Sequence, residues 1–177
     1  MSISRWVSFP AALLLALLSG FVLLSSGQEP KAQDRAEISL TVVKMAQLTT
    51  ALEDQKGKIV VADIWGTFCV PCKKEFPHLV ELHRDLASAG VVCMSVTIDE
   101  KDKVEAALKF LREQGATFPN YLLDEDAAVW QEKWAINGVP AVFVFARDGK
   151  QAAKFDSDAD KEFSYKDVRK KVEELLK

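Results

Sequence analysis

The stretch Lys58–Pro77 reads KIVVADIWGTFCVPCKKEFP. Its first eight residues, Lys58–Trp65, are almost all apolar, which predicts a β-strand covered on both faces. From Cys69 onward Phe76, Leu79, Val80, Leu82, Leu86 and Ala87 recur at helical spacing, which predicts a helix over Cys69–Ser88. Pro71 falls early in that helix, where a missing N–H costs little, while Pro77 predicts a kink. Gly90 closes the helix, and Val91–Ile98 (VVCMSVTI) predicts a second buried strand. Strand, helix and strand in this order make a parallel crossover.

The flanking segments extend the pattern. Ile38–Lys44 predicts a short strand and Met45–Gln55 a helix ended by Gly57. After the second buried strand, Asp102–Gln114 predicts an amphipathic helix stopped by Gly115. Phe118–Leu123 reads as a short strand or extended segment, and Asp126–Ala135 as helical. Ala141–Ala146 and Lys150–Phe155 pair across an Asp148-Gly149 turn. Ser164 caps a last helix to Leu176, with Asp167 three residues on. The fold class is α/β, a mixed central sheet of about five strands with helices on both faces.

Residues 1–27 differ from this domain. Arg5 is their only charge, Ala11–Leu24 is an apolar run, and small residues follow at Ser25, Ser26 and Gly27. That order predicts a secretory signal, with an uncleaved membrane anchor as the alternative. Residues 28–37 are polar and read as a linker, leaving residues 38–177 as the domain. Either reading of the leader places the domain outside the cytoplasm, in a periplasm or on the outer face of the cytoplasmic membrane, where disulfides persist. The net charge is −3 with mixed signs and no basic block, so no nucleic-acid partner is expected.

Three cysteines are too few for a disulfide scaffold or a four-thiolate metal site. Cys69 and Cys72 can close a small ring. At a helix start, unpaired N–H groups and the helix dipole favour the Cys69 thiolate, the nucleophilic form. Cys72, one turn inside, attacks second and resolves a mixed disulfide. Half a zinc site would need two more ligands from Cys93, His78 and His83. Cys93 sits in an apolar strand run, and the histidines, five apart, do not share a helix face. No metal and no cofactor are expected. Asp63 interrupts a strand buried on both faces, so its pKa should rise, suiting it to take the Cys72 proton. Glu75, three residues after Cys72, shares its helix face. Trp130 and Trp134, one turn apart, read as a core stripe.

Asp63–Pro77 (DIWGTFCVPCKKEFP) resembles the active-site segment of thioredoxins, and more closely that of TlpA/ResA-type exported thiol–disulfide oxidoreductases. Asn137–Pro140 followed by AVFVFARDGK is similar to the cis-proline loop, strand and hairpin of that family. The resemblance implies a thioredoxin-like fold from about Ile38 to the C-terminus. It implies Cys69 as nucleophile, Cys72 as resolving thiol, and Asp63 and Glu75 as the acids tuning proton transfer. It also implies a cis bond at Pro140 and substrate contact by Trp65, Val70, Pro71, Val139 and Pro140. Phe68 departs from the pattern, standing where a tryptophan is usual, and Val70 replaces the usual residue between the cysteines. The first strand and helix look closer to plain thioredoxin, which weakens an assignment to cytochrome c maturation.

The leading expectation is an exported reductase of protein disulfides, with cytochrome c maturation as one setting. A membrane thiol donor would recharge it, since the chain has no Gly-rich nucleotide motif. A disulfide oxidase or isomerase would use the same residues at a higher potential. A metal-binding or chaperone module using Cys69 and Cys72 is a third reading, and a peroxidase acting through Cys69 a fourth.

Overall fold

The computed structural model describes residues 37–156 and 163–177. The expected leader over residues 1–27, and all of the expected linker except Glu37, lie outside these residues. Among the described residues no helix is long and apolar enough to cross a membrane.

Six strands alternate with five α-helices. They are β1 (Thr41–Val43), α1 (Met45–Glu53), β2 (Ile59–Trp65), α2 (Val70–Leu86), β3 (Val91–Thr97) and α3 (Val104–Gln114). β4 (Asn120–Leu123), α4 (Ala127–Trp134), β5 (Ala141–Phe145), β6 (Gln151–Asp156) and α5 (Tyr165–Leu176) follow. The sheet order is β1-β4-β3-β2-β5-β6, with β1 to β4 parallel and β5 and β6 antiparallel to their neighbours. This is a thioredoxin-like α/β fold with one strand more than the expected five. The addition is Asn120–Leu123, which pairs with β1 on one side and β3 on the other.

The elements otherwise differ from expectation at their ends. The expected helix over Asp102–Gln114 opens as a 3₁₀ turn at Lys101–Lys103 and becomes α-helical from Val104. It ends where Gly115 turns left-handed at φ 70°, a conformation that costs glycine little. α2 runs unbroken through Pro77.

All seven residues of β2 are buried, as a run without polar alternation requires. Strand alternation divides them. Ile59, Val61 and Trp65 face one core with Cys69, Cys72, Phe76 and Leu79 of the α2 region, Leu111 of α3, and Val168 and Val172 of α5. Val60, Ala62 and Ile64 face a second core with Leu48 of α1, Met94, Val96 and Trp130 of α4. Trp130 is thus core, as its spacing predicts, and the half-buried Trp134 packs on Phe143.

Sheet register positions the site. β2 runs parallel to β3 and antiparallel to β5, with Ile64 opposite Ala141. The start of β5 therefore lies beside the end of β2, and the loop through Val139 and Pro140 meets the segment entering α2.

Candidate active site

Cys69 is the N-cap residue of α2, and its Sγ accepts a hydrogen bond from the Cys72 N–H at 3.2 Å. The sulfur thus occupies the place of a capping oxygen at the positive end of the helix. Cys69 and Cys72 form a disulfide with a Cα–Cα distance of 5.3 Å. Cys69 is 6% exposed and Cys72 2%, so Cys69 is the more accessible residue of the pair. Phe68 and Val70 on either side of Cys69 are 65% and 70% exposed, an apolar rim around a nearly buried bond. Gly66 permits that rim, because a Cβ there would stand 2.5 Å from the Phe68 ring.

The turn before Cys69 is tied to the end of β3. Asp99 accepts from the Thr67 N–H at 2.8 Å and from the Thr67 hydroxyl at 2.7 Å, and it also accepts from the Thr97 hydroxyl. The Cys69 N–H donates to the Gly66 carbonyl, closing the turn. Asp99 and Thr67 escaped the sequence reading, because Asp99 falls between the strand expected to end at Ile98 and the helix expected to start at Asp102, and Thr67 between Trp65 and Cys69. The one available signal was an acid placed directly after a buried strand.

Pro140 follows a cis peptide bond from Val139, as the resemblance implies. Val139 is half-buried and packs against both cores, including the one that holds Cys69 and Cys72. Pro71 is exposed at the first turn of α2. Trp65 departs from its expected role in substrate contact. Its side chain is fully buried, with ring centroids 5.3 Å from Phe76 and 4.9 Å from Phe110. It supports the α2 face from beneath, and the outward aromatic of the motif is Phe68.

Asp63 is 3% exposed and, by alternation, faces the core that holds the cysteines. Burial pushes its pKa from 3.8 up to about 7, with a hydrogen bond from Tyr165 pulling the other way. The Tyr165 hydroxyl donates to Asp63 Oδ2. This partner also escaped the sequence reading, because it lies 102 residues along the chain. Glu75 is half-buried and lines the cleft between α2 and α5 that Tyr165 also lines. The structure therefore brings Cys69, Cys72, Val139 and Pro140 to one end of the sheet. It sets Asp63 on the core face beneath and Glu75 on the flank.

The other residues weighed for zinc are dispersed. Cys93 is buried in β3 with its thiol pKa pushed up by burial and by Asp63. His78 bonds Glu81 on the surface, and His83 packs edge-on to Phe118.

Fold and site together define a thioredoxin-like protein with a dithiol–disulfide centre at a helix start. The chain belongs to the AhpC/TSA family, whose model matches residues 33–154. It is similar to the thiol-disulfide oxidoreductase ResA of Bacillus subtilis strain 168, 36% identical over 99 residues, 56% of this chain and 53% of that one. It matches the ResA of Bacillus cereus strain ATCC 10987 at 29% over 157 residues, 85% of this chain and 88% of that one. At 36% and 32% identity the chain spans 53% and 62% of the length of the Bacillus subtilis and Bacillus thuringiensis strain Al Hakam relatives. Among solved structures it resembles the thioredoxin domain of a thiol-disulfide oxidoreductase from Bacteroides vulgatus. That match has a TM-score of 0.60 and 26% identity, covering 71% of this chain and 84% of that one. A thiol:disulfide interchange protein from Bacteroides sp. matches with a TM-score of 0.58 and 27% identity, covering 71% and 77%.

Proposed function

We propose that this protein is an exported thiol–disulfide oxidoreductase that reduces disulfides in other proteins. The observation that carries the reading is the Cys69–Cys72 disulfide at the start of α2, with Cys69 the more accessible residue of the pair within an apolar rim. In the reduced protein the Cys69 thiolate attacks a substrate disulfide. One substrate sulfur leaves as thiolate, and Cys69 is joined to the other. The Cys72 thiol passes its proton to the Asp63 carboxylate, and the resulting thiolate attacks Cys69 Sγ. The second substrate sulfur leaves and the protein disulfide closes. Two electrons pass from the protein dithiol to the substrate, and a second thiol donor must return them. Phe68, Val70, Pro71, Val139 and Pro140 form the contact surface, and Glu75 tunes the proton balance from the flank. Export rests on the charge and apolar pattern of residues 1–27, and that segment serves as signal or anchor.

The test is trapping with Cys72→Ala in the exported compartment. A mixed disulfide between Cys69 and partner proteins supports the reading. No captured partner, or rapid peroxide consumption through a Cys69 sulfenic acid without exchange, overturns it. Equilibration with glutathione fixes the direction. A reductase should lie below about −200 mV, and an oxidase near the −120 mV of strong oxidants. Cytochrome c maturation is the finer proposal. It predicts faster reduction of a disulfide-closed C-x-x-C-H haem-attachment peptide than of an unrelated disulfide.

A further inference from the structure

We propose that Tyr165 is a positioning residue for exchange at Cys69–Cys72, its phenol holding the Asp63 carboxyl and setting when it takes the Cys72 proton. The inference rests on the exchange reading above and assigns a residue that neither motif contains.

Three observations support it. The Tyr165 hydroxyl is buried and donates to Asp63 Oδ2, joining α5 to the middle of β2. The phenol is presented firmly, because Tyr165 is the first residue of α5. Ser164 just before it and Asp167 two residues after it form a capping box, with the Ser164 N–H on Asp167 Oδ2 at 3.0 Å. Finally, Asp63 has no cation bonded to it among the described residues. The groups around the pair are the Cys93 thiol on β3, Glu75 and His78 on α2, and Arg169 on α5. Arg169 is engaged by Asp85 at 2.8 Å and by Glu173 at 3.9 Å. The donor offered to the buried carboxyl is therefore a neutral phenol. Such a bond favours the ionised acid without fixing it as a salt bridge would, and leaves the carboxyl able to gain and lose a proton.

Tyr165 also reaches outward. With Glu75, His78, Glu81, Lys166 and Arg169 it lines a cleft of about 420 Å³ between α2 and α5. Burial and the nearby negative charge of Asp63 raise the phenol's own pKa, so the hydroxyl stays a donor through neutral pH. When Asp63 is ionised, Tyr165 donates to Oδ2. When Asp63 takes the Cys72 proton on its other oxygen, Oδ2 still accepts from Tyr165. The carboxyl thus keeps its orientation through both proton states.

The test is Tyr165→Phe in the full chain, read by the pH–rate profile of disulfide reduction and by the infrared carbonyl band of protonated Asp63. Losing a hydrogen bond to a charged group should move both midpoints alkaline by about one pH unit. In an Asp63→Asn background, which has no Asp63 carboxyl band, Tyr165→Phe should leave the pH–rate midpoint where it is. Unmoved midpoints, or an equal rate shift in the Asp63→Asn background, overturn the proposal. If Tyr165→Phe fails to fold, fluorotyrosine at position 165 replaces it. A stronger donor should move the midpoints to acid pH, and no movement overturns the proposal. The infrared titration of the oxidised protein needs no substrate, so it decides on Tyr165 even if the exchange reading fails.

Discussion

The middle of β2 and the end of β3 each bury an aspartate to nearly the same degree. Asp63 is 3% exposed and Asp99 4%. Their surroundings differ in donors. Asp99 accepts from the Thr67 N–H, the Thr67 hydroxyl and the Thr97 hydroxyl. Asp63 accepts one bond, from Tyr165, among the described residues. Burial alone therefore does not assign a carboxyl its role. A carboxyl saturated with donors ties two segments together, here the turn before Cys69 and the end of β3. A carboxyl given one neutral donor is left able to change its charge.

The largest effect expected from this contrast is on stability at Asp63. Well below pH 3.8 the carboxyl is protonated in both the folded and unfolded chain and adds no pH-dependent cost. Between 3.8 and about 7 the unfolded chain has released this proton and the folded chain has not. The folded state then binds more protons, so stability falls as pH rises through this window. Above about 7 the full cost is present, on the order of 4 kcal/mol. Asp63→Asn should therefore leave stability near pH 4 almost unchanged and raise it at pH 8 towards that amount. Chemical denaturation of the oxidised protein at the two pH values measures this. His83, whose pKa burial lowers, acts in the opposite direction and cancels in the difference between variant and parent. A variant that differs from the parent by the same amount at both pH values would remove this pH-dependent cost from Asp63.

The same substitution should slow exchange, because Cys72 loses its proton acceptor. General-base contributions of this type are commonly ~10²–10⁴-fold, and the loss should be greatest near neutral pH. The rate of mixed-disulfide resolution measures it. Resolution unchanged across pH 6–8 would remove Asp63 from the mechanism while leaving Cys69 and Cys72 in it.

Asp99→Ala should act differently. It leaves the Thr67 N–H and two hydroxyls without their acceptor, at about 1–3 kcal/mol for each donor that stays buried and unpaired. Thermal or chemical unfolding checks the loss. The substitution should loosen the Gly66–Cys69 turn, and the Asp63 infrared midpoint should stay in place.

The sequence shows one half of this contrast. An acid inside VVADIW is visible because everything around it is apolar, and C-V-P-C is visible because the spacing itself is the chemistry. The partners of the acids are not visible. Tyr165 opens a helix whose pattern announces only an amphipathic face, and only the packing of α5 on the sheet brings it to β2. Trp65 shows the converse. Its place in the motif implied an outward role, but it is an odd-numbered position of β2 and follows Ile59 and Val61 into the core. Alternation along a strand of known register predicts burial better than motif membership does. Asn120 repeats the point, a polar residue of β4 that is buried because other segments supply its partners. Its side chain accepts from the Ser95 hydroxyl at 2.8 Å and donates to the Phe118 carbonyl at 2.8 Å.

The smallest effect separates the two acids most cleanly. Thr67→Val keeps nearly the same shape and retains the backbone N–H bond to Asp99 while removing the hydroxyl bond at 2.7 Å. The expected cost is about 1 kcal/mol, the net worth of one hydrogen bond, because two donors still hold the carboxyl. The pH–rate midpoint should not move, because the Thr67 hydroxyl bond bears on the position of the turn. A reduced rate with an unchanged midpoint fits a turn that holds Cys69 less firmly. A midpoint that moves as it should in Tyr165→Phe would mean that the turn held by Asp99 also sets the proton at Asp63, and the division of labour between β2 and β3 would have to be abandoned.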